Sequence, residues 1–311
     1  MMESLIYLFI FPGFLFLSVF GMLMEFVDRR LYARMQNRQG PPWFQPFADF
    51  IKLAAKNEIV PEGARASMFK FMPVVALAAV VVPILYIPLW SAQAICSFEG
   101  DLIVVVYLLT LPTLTFFLGA WYSASLYSTI GAVRALTQFF AYEVPFFMAL
   151  LAPALVAHTW SISGMARFFG THHLLALCHV IGFAVAIIAL QGKLERVPFD
   201  IPDAETEIVG GVFTEYSGRL LALFRMAIDI EMVVGATLLA AIFLPFGLEL
   251  GPVAGFALYL LKVLIVVAIL ALIKSVAARL RIEQMVNFCW KYVAPAAMVQ
   301  LLISLILSSY T

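Results

Sequence analysis

Charge is scarce in this sequence. Only 12% of the 311 residues are Asp, Glu, Lys or Arg, whereas 64% are hydrophobic, and the mean hydropathy is +1.01. Soluble domains carry about 25% charged residues, so this chain lacks the polar surface that would cover a water-soluble core. The formal net charge is zero, and this leaves no basic excess with which to bind nucleic acid.

Residues that bind metals or perform bond chemistry are also sparse. Three cysteines (Cys96, Cys178 and Cys289) lie far apart without a CxxC pattern, which argues against an iron–sulfur or zinc site built from this chain alone. His172 and His173 are adjacent, a spacing unsuited to helical metal ligands. The chain also lacks a phosphate-binding P-loop, a dinucleotide-binding glycine motif and a nucleophile beside a base. We therefore expect it to bind no metal or cofactor and to catalyse nothing alone.

Long apolar runs, by contrast, are abundant. A helix needs about 20 apolar residues to cross the hydrocarbon of a bilayer, and eight such runs alternate with polar loops, near residues 5–25, 71–90, 102–121, 138–157, 174–190, 220–246, 253–273 and 289–308. The first run lacks a preceding basic segment, so we expect a retained span rather than a cleaved signal peptide. The sequence predicts an all-α polytopic membrane protein, with residues 1–311 forming one membrane domain.

Basic residues gather in three of the loops, 27–70, 191–219 and 274–288. The positive-inside rule predicts that these loops are cytoplasmic. Even numbers of predicted spans separate them, so span count and charge agree. We expect a multi-pass protein of the cytoplasmic (inner) membrane with its N-terminus outside.

One polar segment carries a helical apolar pattern. Residues 44–56 place apolar side chains among charged ones (Phe47, Phe50, Ile51 and Leu53 among Asp49, Lys52 and Lys56). This pattern predicts an amphipathic helix that lies along the membrane surface or docks against a partner. Loops 27–70 and 191–219 are the predicted docking loops.

Acidic residues concentrate between residues 191 and 231. Six lie in the polar segment and two in the apolar run that follows (Glu195, Asp200, Asp203, Glu205, Glu207 and Glu215, then Asp229 and Glu231). Ionisable groups are costly near a bilayer and are candidates for an ion or proton path. The alternative is a solvated loop with capping carboxylates, which explains Asp200 and Asp203 equally well.

Other charges fall inside predicted spans. Glu143 precedes Pro145, which removes a backbone donor and can open the helix to water. Arg225 and Asp229 are four residues apart, so an ion pair on one helical face is the simpler interpretation of that couple. Glu143 and Glu231 lack such a local partner and are predicted to exchange protons. Lys262 is a further candidate, with snorkelling towards the surface as the alternative.

The run ERVPFDIPDAETEIVGGVFTEYSGRLLALF (195–224) resembles the H-type membrane subunit of bacterial NADH–quinone oxidoreductase, which corresponds to subunit 1 of mitochondrial complex I. The same family includes the equivalent membrane subunit of energy-converting, membrane-bound nickel–iron hydrogenases of the formate hydrogenlyase type. The resemblance extends to RRLYARMQNRQGP (29–41), QPFADFIKL (45–53), YEVPF (142–146) and ARLRIEQMV (278–286). These strings follow one another in the family's order and cover nearly the whole chain.

The resemblance implies a membrane-arm subunit at the foot of a peripheral redox arm. The implied partners are iron–sulfur and catalytic subunits, antiporter-like membrane subunits and the lipid bilayer, and the partner subunits carry iron–sulfur clusters and, in hydrogenases, the nickel–iron centre. It further implies that acids of this chain line the route that couples redox energy to proton or sodium translocation (Glu143, Asp203, Glu205, Glu207 and Glu215, to which we add Asp229 and Glu231). Charged residues near the mouth or the docking surface complete the set (Glu25, Arg29, Arg34, Asp49, Lys52, Arg279 and Arg281).

One departure from the family pattern bears on whether the chain resembles the quinone-reducing or the hydrogenase-like members. Only PWF (42–44) separates QGP from QPFAD, where quinone-reducing members have a longer glycine-containing stretch. A shortened loop favours the hydrogenase-like branch, with a quinone-reducing complex, in which quinone is an additional ligand, as the alternative. An independent ion carrier and a purely structural anchor for a redox arm are hypotheses from other classes.

Overall fold

Fourteen α-helices make up the part of the chain that the computed structural model describes, residues 2–247 and 250–309, with the side chains of residues 2–4, 205 and 206 outside the description. In chain order they are α1 (Met2–Phe9), α2 (Phe14–Met35), α3 (Gln45–Ala55), α4 (Ala66–Val81), α5 (Asp101–Trp121), α6 (Leu126–Ala157), α7 (Ile162–Thr171), α8 (His173–Leu177), α9 (Val180–Lys193), α10 (Glu205–Ile208), α11 (Gly218–Phe243), α12 (Pro252–Val276), α13 (Ile282–Phe288) and α14 (Ala294–Ser308). A π-helical turn, Cys289–Val293, joins α13 to α14. The all-α prediction is confirmed.

Seven helical segments within the described residues are long and apolar enough to cross a membrane. They are Leu5–Met35, Ala66–Tyr86, Asp101–Trp121, Leu126–Ala157, Gly218–Phe243, Pro252–Val276 and Ile282–Ser308. The eighth predicted span, near 174–190, is divided between α8 and α9. Residues 173–193 would extend over roughly 30 Å at 1.5 Å per residue, which is the thickness of the hydrocarbon layer.

The three basic loops meet at one end of the bundle, which we call the basic face (loops 36–65, 194–217 and 277–281). The backbone N–H of Ile59 donates to Ser217 Oγ at 3.2 Å, and Arg279 Nε lies 3.1 Å from an Asp200 carboxylate oxygen. Four helices, α4, α5, α6 and α9, lead from the first of these loops to the second. Because both loops lie at the same end, α9 must cross the bundle as the other three do.

Helix α11 lies at the centre of the bundle, in contact with α2, α3, α4, α9 and α12. Apolar burial drives helices together weakly in lipid, so small residues that allow close approach become important. A Cβ at Gly192 in α9 would lie 3.2 Å from the Tyr142 ring of α6, and one at Gly235 in α11 would lie 2.5 Å from Leu190 of α9. Helices α6, α9 and α11 therefore approach one another closely.

The second basic loop packs against the basic end of α6. Gly211 has φ +49°, and a Cβ there would fall 1.8 Å from the Pro202 carbonyl oxygen, while a Cβ at Gly131 of α6 would fall 2.6 Å from Val212 N. Only glycine fits at such close approaches. The loop is thus held in a compact fold over α6 and α11.

The predicted amphipathic helix is present as α3. Phe50 packs against the apolar core, whereas Ile51 remains 65% exposed. Asp49 fastens the helix to α2, because its carboxylate accepts a hydrogen bond from Arg29 Nη1 at 3.1 Å. Trp43 and Ile59, which flank α3, are also more than 60% exposed. This leaves an apolar strip on the basic face.

The orientation of the bundle in the membrane is a prediction that native and introduced cysteines can test. Cys96 is exposed in the loop between α4 and α5, at the end opposite to the basic face. A membrane-impermeant maleimide added to intact cells should label Cys96. A Glu62→Cys variant that lacks both exposed native cysteines, Cys96 and Cys178, should react only after permeabilisation, because Glu62 is exposed on the basic face. The reverse pattern would show that the N-terminus faces the cytoplasm.

Candidate functional site

An open cleft of about 440 Å³ lies at the basic face, between α2, α3, α11 and the loop that follows α9. Its charged lining comprises Glu25, Arg29, Asp49, Lys52, Lys56, Glu195, Arg196, Asp203, Arg225, Asp229 and Lys274. The cleft therefore gathers side chains from five parts of the sequence. Six of these residues belong to the predicted site: Glu25, Arg29, Asp49, Lys52, Asp203 and Asp229.

Beneath the cleft, buried ion pairs hold three parts of the chain together. Asp28 has no exposed side-chain surface and lies 3.0 Å from Arg196 Nη1 and 3.1 Å from Lys274 Nζ. Glu25, one turn earlier in α2, accepts from Arg29 Nε at 2.6 Å and from Arg196 Nη2 at 2.8 Å. We call these five residues the ion network. It joins α2 to the loop after α9 and to α12, and so fixes the base of the cleft.

Arg225 and Asp229 do not form the ion pair expected from their spacing. Arg225 Nη2 instead lies 3.8 Å from Asp203 Oδ2, across the cleft. Asp229 lies among the charges of Glu25, Arg196, Arg29 and Arg225. The N-cap position of α10 is occupied by Ala204, the residue after Asp203. The fold of the loop brings Asp203 over α11, and sequence spacing alone does not reveal this.

Glu195 connects the cleft to the interior of the bundle. Its Oε1 is inaccessible and has no hydrogen-bond partner among the described residues. Loss of water, together with the neighbouring Asp203 and Glu231 carboxylates, raises the pKa of Glu195 to about 8. This carboxyl group is therefore protonated at neutral pH and ionises as the pH rises through that value. Between pH 4.5 and about 8 the folded chain holds a proton that the unfolded chain has released, so the free energy of unfolding falls as pH rises across that window.

Deeper in the bundle lies a group that we call the inner cluster, formed by Glu143 of α6, Lys193 of α9 and Glu231 of α11. The Lys193 ammonium lies 3.1 Å from Glu143 Oε2, and the Lys193 side chain is fully buried. Glu231 is 1% exposed, and neither of its oxygens has a hydrogen-bond partner among the described residues. Glu231 lies within electrostatic range of both Lys193 and Glu143.

The acids form a row that leads inward from the cleft. Asp203 lies at the cleft, Glu195 lies within electrostatic range of both Asp203 and Glu231, and Glu231 lies within range of Glu143. Helix α6 runs unbroken through this region despite Pro145. Four acids from three elements therefore follow one another over the depth of the basic half of the bundle.

Several residues predicted for the path lie elsewhere. Glu207 is half exposed and accepts from Arg134 Nη1 at 2.6 Å, and this bond lowers the pKa of Glu207. It lines a separate cavity of about 270 Å³ with Arg279 and Arg281. Glu215 is partly buried outside the residues that line the described cleft. The Glu205 side chain lies outside the described part of the chain.

Two further predicted residues lie apart from the row. Arg34 is exposed near the end of α2. Lys262 is buried and donates to the Phe246 carbonyl oxygen from the side of the bundle opposite to the basic face. It is thus not a member of the inner cluster.

Sequence reasoning missed part of the site. Asp28, Arg196 and Lys274 belong to the ion network, and Lys193 lies beside the row, whereas Glu195 of the row was among the acids considered for an ion or proton path. Asp28 follows Glu25 by three residues, and helical spacing could have indicated that the two share a face. The burial of Lys193 had no such signal, because a lysine at the end of an apolar run is typical of a cytoplasmic loop.

The described residues contain no group of His, Cys, Asp and Glu that could hold a metal ion. The carboxylates of the row are groups that can bind and exchange protons or other small cations. The buried side chain of Lys193 places positive charge beside Glu143, and the largely buried side chain of Arg196 places it beside Glu25.

Comparison with known proteins identifies the family. Residues 7–305 match the family described as NADH dehydrogenase. The H-type subunit of NADH–quinone oxidoreductase from Dehalococcoides mccartyi is 30% identical over 308 residues, covering 96% of this chain and 85% of that protein. Its counterpart from Thermomicrobium roseum is 32% identical, covering 93% of this chain and 92% of that protein.

A solved structure is similar as well. A chain of the membrane-bound sulfane sulfur reductase, described as an archaeal respiratory membrane complex, superposes with a TM-score of 0.82 at 26% identity, covering 93% of this chain and 96% of that chain. With the family match over nearly the full length and this similarity of fold, this multi-pass membrane chain belongs to the NADH dehydrogenase family that includes the H-type subunit of NADH–quinone oxidoreductase.

Proposed function

We propose that this chain is the membrane-arm subunit of an energy-converting, nickel–iron hydrogenase-like complex, in which it couples electron transfer in a peripheral iron–sulfur arm to the translocation of protons or sodium ions. The observation that carries this proposal is the row of acids from the cleft to Glu143. Buried ionisable groups are costly in a membrane protein, and a row of them is explained by ion transfer. Neither a structural anchor nor a simple packing role requires it.

The basic face is the surface that receives the redox arm in this proposal. It carries the charged cleft and the apolar strip of Trp43, Ile51 and Ile59, all largely exposed. Interfaces combine buried apolar anchors with a polar rim, and this face offers both. Positive charge on the same loops supports a cytoplasmic location, which is where a soluble redox arm would assemble. An independent ion carrier would have no use for such a surface.

One observation supports the hydrogenase-like branch over a quinone-reducing complex: the loop between Gly40 and Gln45 is short. A quinone-reducing complex is the second candidate, because the relatives similar in sequence carry that name.

The docking surface can be tested with one substitution. Ile51→Glu places a charge in the middle of the apolar strip without altering the inward face of α3. Affinity purification through this chain should then recover much less iron, since burying an unpaired charge at an interface is unfavourable. Ile95→Glu, a change on the opposite face, is the matched control and should retain the arm. A full complement of iron with Ile51→Glu would show that α3 does not dock the arm.

The same purification decides the branch. Nickel recovered together with iron supports the hydrogenase-like assignment. Iron with bound quinone and without nickel would overturn that assignment in favour of the quinone-reducing complex, and would leave the coupling role in place.

The coupling role is tested most simply at Glu143. Glu143→Gln keeps size and hydrogen bonding but removes the titrating group, so the complex should assemble with its redox cofactors. Ion translocation should fall on the order of 100-fold, the usual effect of removing a proton-transfer group. Translocated charge per electron in vesicles is the measurement.

Glu62→Gln, in an exposed loop of the basic face, provides the control for loss of a carboxylate and should translocate normally. Normal translocation by Glu143→Gln, at expression matched to the parent, would mean that Glu143 is only a satisfied polar residue in a wet cavity.

A further inference from the structure

The inner cluster contains a charged residue that the row of acids does not by itself require. Lys193 is the last residue of α9, and its side chain has no exposed surface. Burying an ammonium group is costly unless it is paired. Packing alone therefore does not explain a lysine that is fully buried among the acids of the row.

The hydrogen bonds of the cluster are incomplete. Lys193 satisfies Glu143 Oε2 at 3.1 Å, but Glu143 Oε1 and both oxygens of Glu231 have no hydrogen-bond partner among the described residues. A purely structural ion pair would be expected to have its remaining oxygens bonded. This cluster instead contains three carboxylate oxygens, on Glu143 and Glu231, that could accept a hydrogen bond from the single ammonium group.

Charge balance gives the cluster two states. One ammonium neutralises one carboxylate, so with Lys193 paired to Glu143 the neighbouring Glu231 is neutral and holds a proton. If the ammonium paired with Glu231, the proton would belong to Glu143. The two states carry the same net charge, so that exchange between them avoids a large desolvation barrier.

The surroundings of Lys193 suit a cation that moves. Its Nζ lies 5.4 Å from the centre of the Tyr142 ring and 5.6 Å from that of the Phe146 ring. Aromatic faces attract an ammonium without accepting its proton. The lysine stem has four flexible carbons, and α9 ends at this residue, so the head can shift without movement of a helix.

We propose that Lys193 is a mobile positioning residue of the ion path, whose ammonium passes between the carboxylates of Glu143 and Glu231 as a proton passes the opposite way. An O–H bond breaks on Glu231 and one forms on Glu143, while Lys193 remains protonated throughout. Glu195, on the cleft side, then donates its proton to Glu231 as the ammonium returns to Glu143 and the proton held by Glu143 is released inward. Glu195 takes up a new proton from the water of the cleft, so that each cycle moves one proton and one ammonium stays paired with one carboxylate throughout. This inference rests on the proposed coupling function.

Three variants of the assembled complex test it in vesicles, with proton uptake followed by a pH-sensitive dye during electron transfer through the complex's own redox arm. Lys193→Met removes the charge and should abolish proton translocation. Lys193→Arg keeps a cation that cannot lose its proton and should restore a substantial part of it. Lys262→Met removes the other buried lysine, which bonds a backbone carbonyl outside the cluster, and should translocate as the parent does.

The outcomes separate this inference from the proposed function. Normal translocation by Lys193→Met, with Glu143→Gln defective in the same preparation, would overturn the role of Lys193 and leave the coupling function standing. Normal translocation by Glu143→Gln would overturn the coupling function itself. If the Lys193→Met complex fails to assemble, two other variants test the role of Lys193. A Lys193→Arg complex that assembles but does not translocate protons would contradict a mobile cation. Full translocation by Glu231→Gln would contradict it as well.

Discussion

The ion pairs of Asp28 with Arg196 and Lys274 are the interaction on which the site depends. A fully buried carboxylate is tolerable only if cations satisfy it, so the fold must bring an arginine from the loop after α9 and a lysine from α12 to the same turn of α2. Removing either partner leaves the buried Asp28 carboxylate with a single cation. The loop that carries Glu195 and Asp203 is thereby fixed relative to the helices, and its acids point into one cleft.

The position of Glu195 follows from that arrangement. Arg196 is held by Asp28 and Glu25, so the preceding residue is directed towards the interior, between the cleft and Glu231. Close packing of α6, α9 and α11 through Gly192 and Gly235 then places Glu143, Lys193 and Glu231 together. The buried ion pairs beneath the cleft and the acids deeper in the bundle are parts of one arrangement, and the ion pairs position the acids.

Much of this architecture could be predicted from the sequence. Apolar runs of about 20 residues give helices whatever their neighbours are, since backbone groups in lipid must bond internally. The spans were predicted on that basis and the amphipathic α3 from its pattern of apolar and charged residues, while the family motifs led to Glu143 and Asp203 of the row. The ends of the helices were predicted less accurately. Helix α6, for example, begins at Leu126, well before the predicted start near residue 138. Polar residues near its start continue the helix by packing on the second basic loop.

Side-chain pairing could not be predicted in the same way. Helical spacing predicted an ion pair between Arg225 and Asp229, but Arg225 pairs with Asp203 instead. Glu143 pairs with Lys193, which lies fifty positions further along the chain. Glu207, which lies two residues after Glu205 in the motif, pairs with Arg134 in a different cavity. A loop without regular structure carries no periodicity, so which face each acid takes is decided by tertiary contacts alone.

If the row of acids conducts protons, its carboxyl groups must hold protons at physiological pH, and Glu195 allows this to be measured directly. Infrared difference spectra between the assembled parent complex and its Glu195→Gln variant isolate the carbonyl stretch of one protonated carboxyl group. We expect that band at neutral pH and its disappearance as the pH rises through about 8. A carboxyl group already ionised at neutral pH, with a midpoint near the ordinary value of 4.5, would contradict the account.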